Sequence, residues 1–435
     1  MNIILLSGGS GTRLWPLSNP VRSKQFIKIF KDPNGHYESM VQRVYRQIKQ
    51  NDPDAHITIA TSKNQVSAIR NQLGTDVDVS VEPCRKDTFP AIALAAAYLA
   101  DIKNVRQDEC VVICPIDLYV DDDYFDMLKI LSEQADNGKA KLLLMGIEPD
   151  CPSEKYGYII PNGKDTISGI KLFKEKPDIE TAEDFIRNGA LWNGGIFACR
   201  IQYILDKAHE LINFKDYQDL INKYFTLEKI SFDYAVVEKE ADIQIVRYSG
   251  QWKDVGTWNT LTETMEESVV GKGKMDDQCS DIQIINELDI PVLAMGLKNI
   301  VIAASVDGVL VCDKERSSYM KPFVEEMGQK VMFAEKSWGT FQVLDITEEA
   351  MTIKIKLKPG QRLNYHSHQY RDELWIVIGG HGKAIIDDIE QKLDIGDVVK
   401  IPAGCKHAAI AEQFLQLIEI QIGENLNQQD KEKFT

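Results

Sequence analysis

Over its first half the chain alternates short apolar runs with longer stretches of helical spacing. Residues 2–7, 56–61, 110–114 and 142–147 are aliphatic and β-branched runs bounded by turn residues, the pattern of buried strands. Between them, residues 39–50, 63–73, 90–102 and 123–138 carry helical periodicity, and the third stretch puts Pro90 at a first helical position. Such alternation predicts a mostly parallel sheet in three layers, with ligands at the carboxyl ends of its strands. After about residue 265 the texture changes. A polar linker, GKGKMDDQ, leads into the short runs VLAMGL, IVIAAS and GVLVCD. From 328 to 422 further runs (TIKIKL, LWIVIG, KAIID, VVKIP, LQLIEIQI) are spaced by Gly, Pro and Asp as in a barrel or sandwich. The polar stretch 425–435 reads as a short helix or frayed end with no chemistry attached.

Length and charge refine this picture. At roughly 100 to 200 residues per domain, 435 residues allow two to four domains. The composition, 44% hydrophobic and 27% charged, is that of a folded globular protein rather than a disordered or fibrous one. A net charge of −16 disfavours nucleic acid and anionic membranes as partners but leaves room for small anions in a local basic cleft. The eight cysteines include no CxxC pair, which fits free thiols in a reducing cytoplasm. The opening MNIILLSGG lacks the basic region of a signal peptide, and AIALAAAYLA is about half a membrane span.

The first strand runs into LSGGSGTRLWPLS, residues 6–18. Gly8, Gly9 and Gly11 lack a Cβ and let backbone N–H groups approach phosphate oxygens, and Arg13 adds a guanidinium fork. The string is neither a Walker loop nor a complete GxGxxG fingerprint. With KQF following, it resembles the signature of sugar-1-phosphate nucleotidyltransferases, most closely the bacterial mannose-1-phosphate guanylyltransferases of the long type fused to a phosphomannose isomerase domain. The motifs EPCRKDTFPAIALAA, CPIDLYV, EKYGYI, FKEKP, LWNGGIF, FDYAVVEK and WKDVGTW continue that resemblance in the family's order.

The resemblance implies a Rossmann-like, GT-A-type α/β domain over residues 1–265, a β-rich connector over 266–330 and an all-β cupin, a double-stranded β-helix, over 331–435. It implies formation of GDP-mannose and pyrophosphate from GTP and mannose 1-phosphate. Gly8, Gly9, Gly11, Thr12, Arg13 and Lys24 would hold the triphosphate, and Asp117 and Asp254 would ligate Mg²⁺, for which hard carboxylate oxygens are suited. Glu82, Asp87 and Thr88 fall in the stretch that binds the nucleotide, where Asp87 as an acceptor favours guanine. Gly157, Glu175, Lys176, Asn193 and Asp233 would bind the sugar phosphate, although the residues alone give Asp233 no role. The chain departs from the family at Lys86 (Arg there), Phe89 (Ala) and Leu118 (His). Another sugar 1-phosphate or base, on the same chemistry, is the alternative. Tyr156, Trp192 and Trp252 suit core or pocket wall equally.

A second constellation lies in the β-rich end: Gly360, His366, His368, Glu373 and Gly380, then Gly396, Pro402, Gly404 and His407. Two histidines two apart on a strand share a face, and Glu373 and His407 return on other strands to complete a ligand set for Zn²⁺, Fe²⁺ or Mn²⁺. The spacing matches the cupin motifs, save Ala411 in place of the closing Asn. Arg371 matches an arginine on which activity depends in the fused isomerases, so the barrel is a candidate mannose-6-phosphate isomerase. Its alternative is a metal kept for structure or dimer formation. A cytoplasmic homodimer that binds neither nucleic acid nor membrane is the expected setting.

Overall fold

The structure, a computed structural model, describes residues 1–9, 12–138, 140–328, 330–423, 426 and 430–434. These gather into two compact units. The first contains the described residues of 1–10, 25–66 and 76–256, and the second those of 11–24, 67–75 and 257–435.

The first unit is built on a nine-stranded sheet. Its order is Asp78–Glu82, His56–Ser62, Asn2–Ser7, Cys110–Pro115, Leu191–Arg200, Leu142–Ile147, Ile243–Tyr248, Ile167–Lys174 and Gly157–Pro161. The four strands read from the apolar runs are all present, and the first of them pairs in parallel with two others. The sheet is nonetheless mixed. Leu191–Arg200 and Ile167–Lys174 run against the other seven strands, so five of the nine pairings are antiparallel. An apolar run records burial on both faces, and it does not record strand direction.

Helices Met40–Asn51, Val66–Leu73, Thr88–Asp101 and Asp123–Asp136 correspond to the four periodic stretches. Ser39 is the cap of the first, closing a capping box with Gln42. Pro90 is not the first residue of the third helix. That helix starts two residues earlier, capped by the Asp87 carboxylate on the Thr88 amide. Its run Phe89–Ala97 is buried throughout, which explains its apolar length as core rather than membrane span. No helix among the described residues is long and apolar enough to cross a membrane.

In the second unit, strands Val269–Gly271, Ser280–Asn286 and Lys298–Ser305 stack in parallel over Ile282, Ile284, Ala294 and Ile302, and Gly308–Asp313 closes that sheet antiparallel. Two further sheets, of six and five strands, form the barrel around Trp375, Leu393, Leu415 and Leu417. Early segments of the chain are bonded into this unit. Arg22 forms a bidentate pair with Glu287 at 2.8 Å on both arms, and Asn71 donates to the carbonyls of Lys336 (2.6 Å) and Gly339 (2.9 Å).

Candidate functional site

In the first unit the carboxyl end of Asn2–Ser7 leads into Gly8 and Gly9, which are exposed. Gly9 has φ +107°, a left-handed conformation that L side chains rarely adopt, and a Cβ on either glycine would meet no atom within 4 Å. Beneath them lies a buried polar network. Thr61 Oγ1 (2.8 Å) and Gln25 Nε2 (3.3 Å) donate to Gln65 Oε1, Gln25 Nε2 also donates to Ser7 Oγ (3.0 Å), and Gln65 Nε2 donates to the Gly9 carbonyl (3.3 Å). Arg85 donates to the same carbonyl at 2.9 Å, a cation that the sequence reading overlooked beside Lys86. Gly11 lies outside the described residues, and of Thr12 only the backbone is described. Arg13 is exposed on the turn Thr12–Leu14, and Lys24 is half-buried at the start of Lys24–Phe26.

The residues expected at the base have structural partners. Glu82 is buried and accepts from Tyr224 Oη at 2.7 Å, and burial raises its pKa. Thr88 Oγ1 accepts from the Phe232 amide at 2.8 Å. Asp87, at φ +75°, caps the helix and is exposed. Phe89, the departure from alanine, is core, with its ring 5.9 Å from that of Phe232.

The clearest site is a cavity of about 200 Å³ lined by Asp117, Lys155, Tyr156, Gly157, Glu175, Asn193, Asp233, Trp252 and Asp254. Asp117 follows strand Cys110–Pro115. Asp254 lies on Trp252–Asp254, which pairs antiparallel with Leu118–Val120 so that Asp254 faces Leu118 in the register. Leu118, where the family has His, is buried in this two-stranded sheet. Asp121 accepts from Tyr248 Oη and from the Gln251 amide (3.0 Å), anchoring the approach to Asp254.

Across the cavity, Asn193 donates to Asp233 at 2.7 Å, and Lys176, at φ +42°, donates to Glu175. Burial first, and then the charge of Glu175, raises the Asp233 pKa to about 6. Asp233 is thus half-buried on the cavity wall, accepting from Asn193 within the electrostatic reach of the buried Glu175. Gly157 lines the cavity, but the room its missing side chain leaves is taken by protein. A Cβ there would lie 2.5 Å from Glu175 Oε2. Tyr156 and Trp252 are pocket wall, and Trp192 is buried behind them with its ring 4.8 Å from Tyr156.

In the second unit His366, His368, Glu373 and His407 are all buried, and their candidate ligand atoms lie within 4.8 Å of one another. Each imidazole donates from Nδ1 to a backbone carbonyl: His366 to Asn364 (2.6 Å), His368 to Asp430 (3.0 Å) and His407 to Cys405 (3.0 Å). That fixes the tautomer that aims the Nε2 lone pair inward. Arg371, which can only donate, confirms the lone pair on His368 by bonding its Nε2 at 3.1 Å. His407 Nε2 lies 3.3 Å from Glu373 Oε2 and, among the described residues, is buried without a hydrogen-bond partner, and His366 is held neutral, its pKa pushed down to about 3 by burial and by Lys431. A divalent cation fits these lone pairs and the Glu373 carboxylate. Behind Glu373, Trp375 Nε1 donates to both Glu373 and Glu419 at 3.2 Å.

An α/β sheet with a glycine turn after its first strand and a carboxylate-walled cavity, followed by a barrel with a buried His/Glu cluster, defines a nucleotidyltransferase carrying a cupin. The chain belongs to the nucleotidyl transferase family, whose model matches residues 2–269. The model described as mannose-6-phosphate isomerase C-terminal matches residues 325–435. The xanthan biosynthesis protein XanB of Xanthomonas campestris pv. campestris (strain B100) is 30% identical, covering 99% of this chain and 97% of that protein. A mannose-1-phosphate guanylyltransferase of Klebsiella pneumoniae is 27% identical over 98% of this chain and 97% of its own length. A crystal structure from Thermus thermophilus, described as mannose-1-phosphate geranyltransferase, superposes with a TM-score of 0.63 at 27% identity, covering 75% of this chain and 98% of that one.

Proposed function

We propose that the chain joins GTP and α-D-mannose 1-phosphate to give GDP-mannose and pyrophosphate. The observation that carries this is the cavity in which Asp117 and Asp254 share a wall with Glu175, Asn193 and Asp233. A phosphate oxygen of the sugar phosphate attacks the α-phosphorus in line, and the bond to pyrophosphate breaks. Glu175 and Asp233 accept from sugar hydroxyls, Asn193 orients Asp233, and Lys176 meets the sugar's phosphate. Gly8, Gly9, Gly11, Thr12, Arg13 and Lys24 hold the triphosphate, and Glu82, Asp87 and Thr88 shape the base pocket. Mg²⁺ bound by Asp117 and Asp254 would neutralise charge on the transferred phosphates. The divisions 1–265, 266–330 and 331–435 are proposed as functional domains, in a cytoplasmic homodimer. The spans of the two family models support those limits.

The buried cluster favours a second activity, mannose-6-phosphate isomerisation. A cation held by His366, His368, Glu373 and His407 would polarise the C1 and C2 oxygens of an open-chain sugar phosphate. Crossing four nucleoside triphosphates with several sugar 1-phosphates in a pyrophosphate-release assay tests the first proposal. GTP with mannose 1-phosphate should be fastest, and no release from any pair defeats it. Formation of fructose 6-phosphate by wild type and loss of it in His368→Ala tests the second.

A further inference from the structure

Within the stretch expected to be a short helix or frayed end, the described residues 430–434 instead contain a strand beside the cupin centre. Strand Lys431–Lys433 pairs antiparallel with His366–His368, setting Lys431 opposite His368, Glu432 opposite Ser367 and Lys433 opposite His366. Directly opposed residues in such a pair project to the same face. Since His366 and His368 face the cluster, Lys431 and Lys433 stand on that face, and Glu432 projects to the other. The strand is anchored at both ends. The Asp430 carbonyl accepts from His368 Nδ1, and its carboxylate accepts from the amides of Gln369 (2.9 Å) and Tyr370 (3.2 Å). Beyond it, the Phe434 amide donates to the Tyr365 carbonyl at 2.9 Å, and the Lys406 ammonium lies 4.4 Å from the Phe434 ring centre.

Both lysines are exposed while the histidines are buried, so the cations form a rim above the cluster. Lys431 lies within the electrostatic reach of Arg371 as well as of Glu373 and Glu419, and Lys433 within that of Lys336. Lys431, Lys433 and Arg371 thus gather beside the buried carboxylates Glu373 and Glu419, a local concentration of cations in a chain of net charge −16.

We propose that Lys431 and Lys433, with Arg371, form the phosphate-binding rim of the cupin centre, so that its ligand is a phosphorylated sugar gripped by the last strand. This rests on the isomerase reading for the sugar, while the rim itself stands on the strand register. A phosphate carries about −1.5 to −2 charge at neutral pH and three acceptor oxygens, which suits ammonium groups arriving from one side.

The test titrates mannose 6-phosphate and mannose into the full-length, Zn²⁺-loaded protein with its transferase cavity saturated by GDP-mannose. Wild type should prefer the phosphorylated sugar. Lys431→Gln and Lys433→Gln should each weaken it about tenfold, and the double variant about a hundredfold. Zinc content and the response to mannose should stay unchanged, and Glu432→Gln, on the opposite face, should match wild type. Undiminished affinity in the double variant, or no preference for mannose 6-phosphate in wild type, overturns the rim. Conversion to fructose 6-phosphate is read separately. A protein that binds through these lysines without converting the sugar retains the rim and retires the isomerase reading.

Discussion

Asp233 shows how position sets the chemistry of one residue. Its folded pKa of about 6 lies above the ordinary value of 3.8, so the fold favours the protonated acid. The stability this contributes is present below pH of about 4 and is lost as pH rises through about 6. Thermal melts should show wild type losing stability across that window relative to Asp233→Asn, whose amide does not titrate. In the proposed reaction the ionised form accepts from the sugar, so the KM for mannose 1-phosphate should rise as pH falls below about 6, with kcat less affected. Asp117→Asn and Asp254→Asn should each lower pyrophosphate release on the order of a hundredfold or more while melting as wild type does, because each removes an ionic ligand without removing volume.

At the scale of elements, the glycine turn and the strand Gly157–Pro161 are held by side chains from distant segments. Gln65→Ala would leave Thr61 and Gln25 without their shared acceptor. Both donors keep a bond to Ser7, but the hydrogen bonds to Gln65, including its own to the Gly9 carbonyl, are lost at about 0.5–1.5 kcal/mol each, so the variant should melt several degrees lower and exchange amide hydrogens faster around Gly8 and Gly9. Gly157→Ala should displace the Glu175 carboxylate, which a Cβ would approach to 2.5 Å. Its expected signature is a raised KM for sugar phosphate with weaker loss of stability. Four of the nine strands of the main sheet were legible from their apolar runs, and the limits of four helices were legible to within a few residues. The Leu191–Arg200 strand's reversed direction was not, because side-chain burial is the same whichever way a central strand runs.

For the whole molecule, the carboxylate-walled cavity lies in the first unit and the His/Glu cluster in the second. His407→Ala should therefore remove one bound metal ion per chain and any sugar isomerisation while leaving pyrophosphate release near the wild-type rate. Metal analysis and paired assays on one preparation read this directly. The segments 11–24 and 67–75 pack with the C-terminal unit through bonds such as Arg22 to Glu287, which no composition shift announces.

The sequence by itself pointed to the two chemistries and supplied candidate residues for each. Glycines after a strand, carboxylates at strand ends, and a histidine pair with its Glu and third His are local or spaced patterns that survive without coordinates. The tertiary structure alone decided how those residues are used. It set Asp233 and Glu175 on the wall of one cavity, gave Glu82 and Thr88 structural partners, and brought Arg85 to the glycine turn. It also laid Lys431 and Lys433 beside the histidines some sixty residues earlier in the chain. The physical reason is that burial, hydrogen-bond partners and strand register depend on segments far apart in the chain, while the amino-acid pattern records only what each segment can offer.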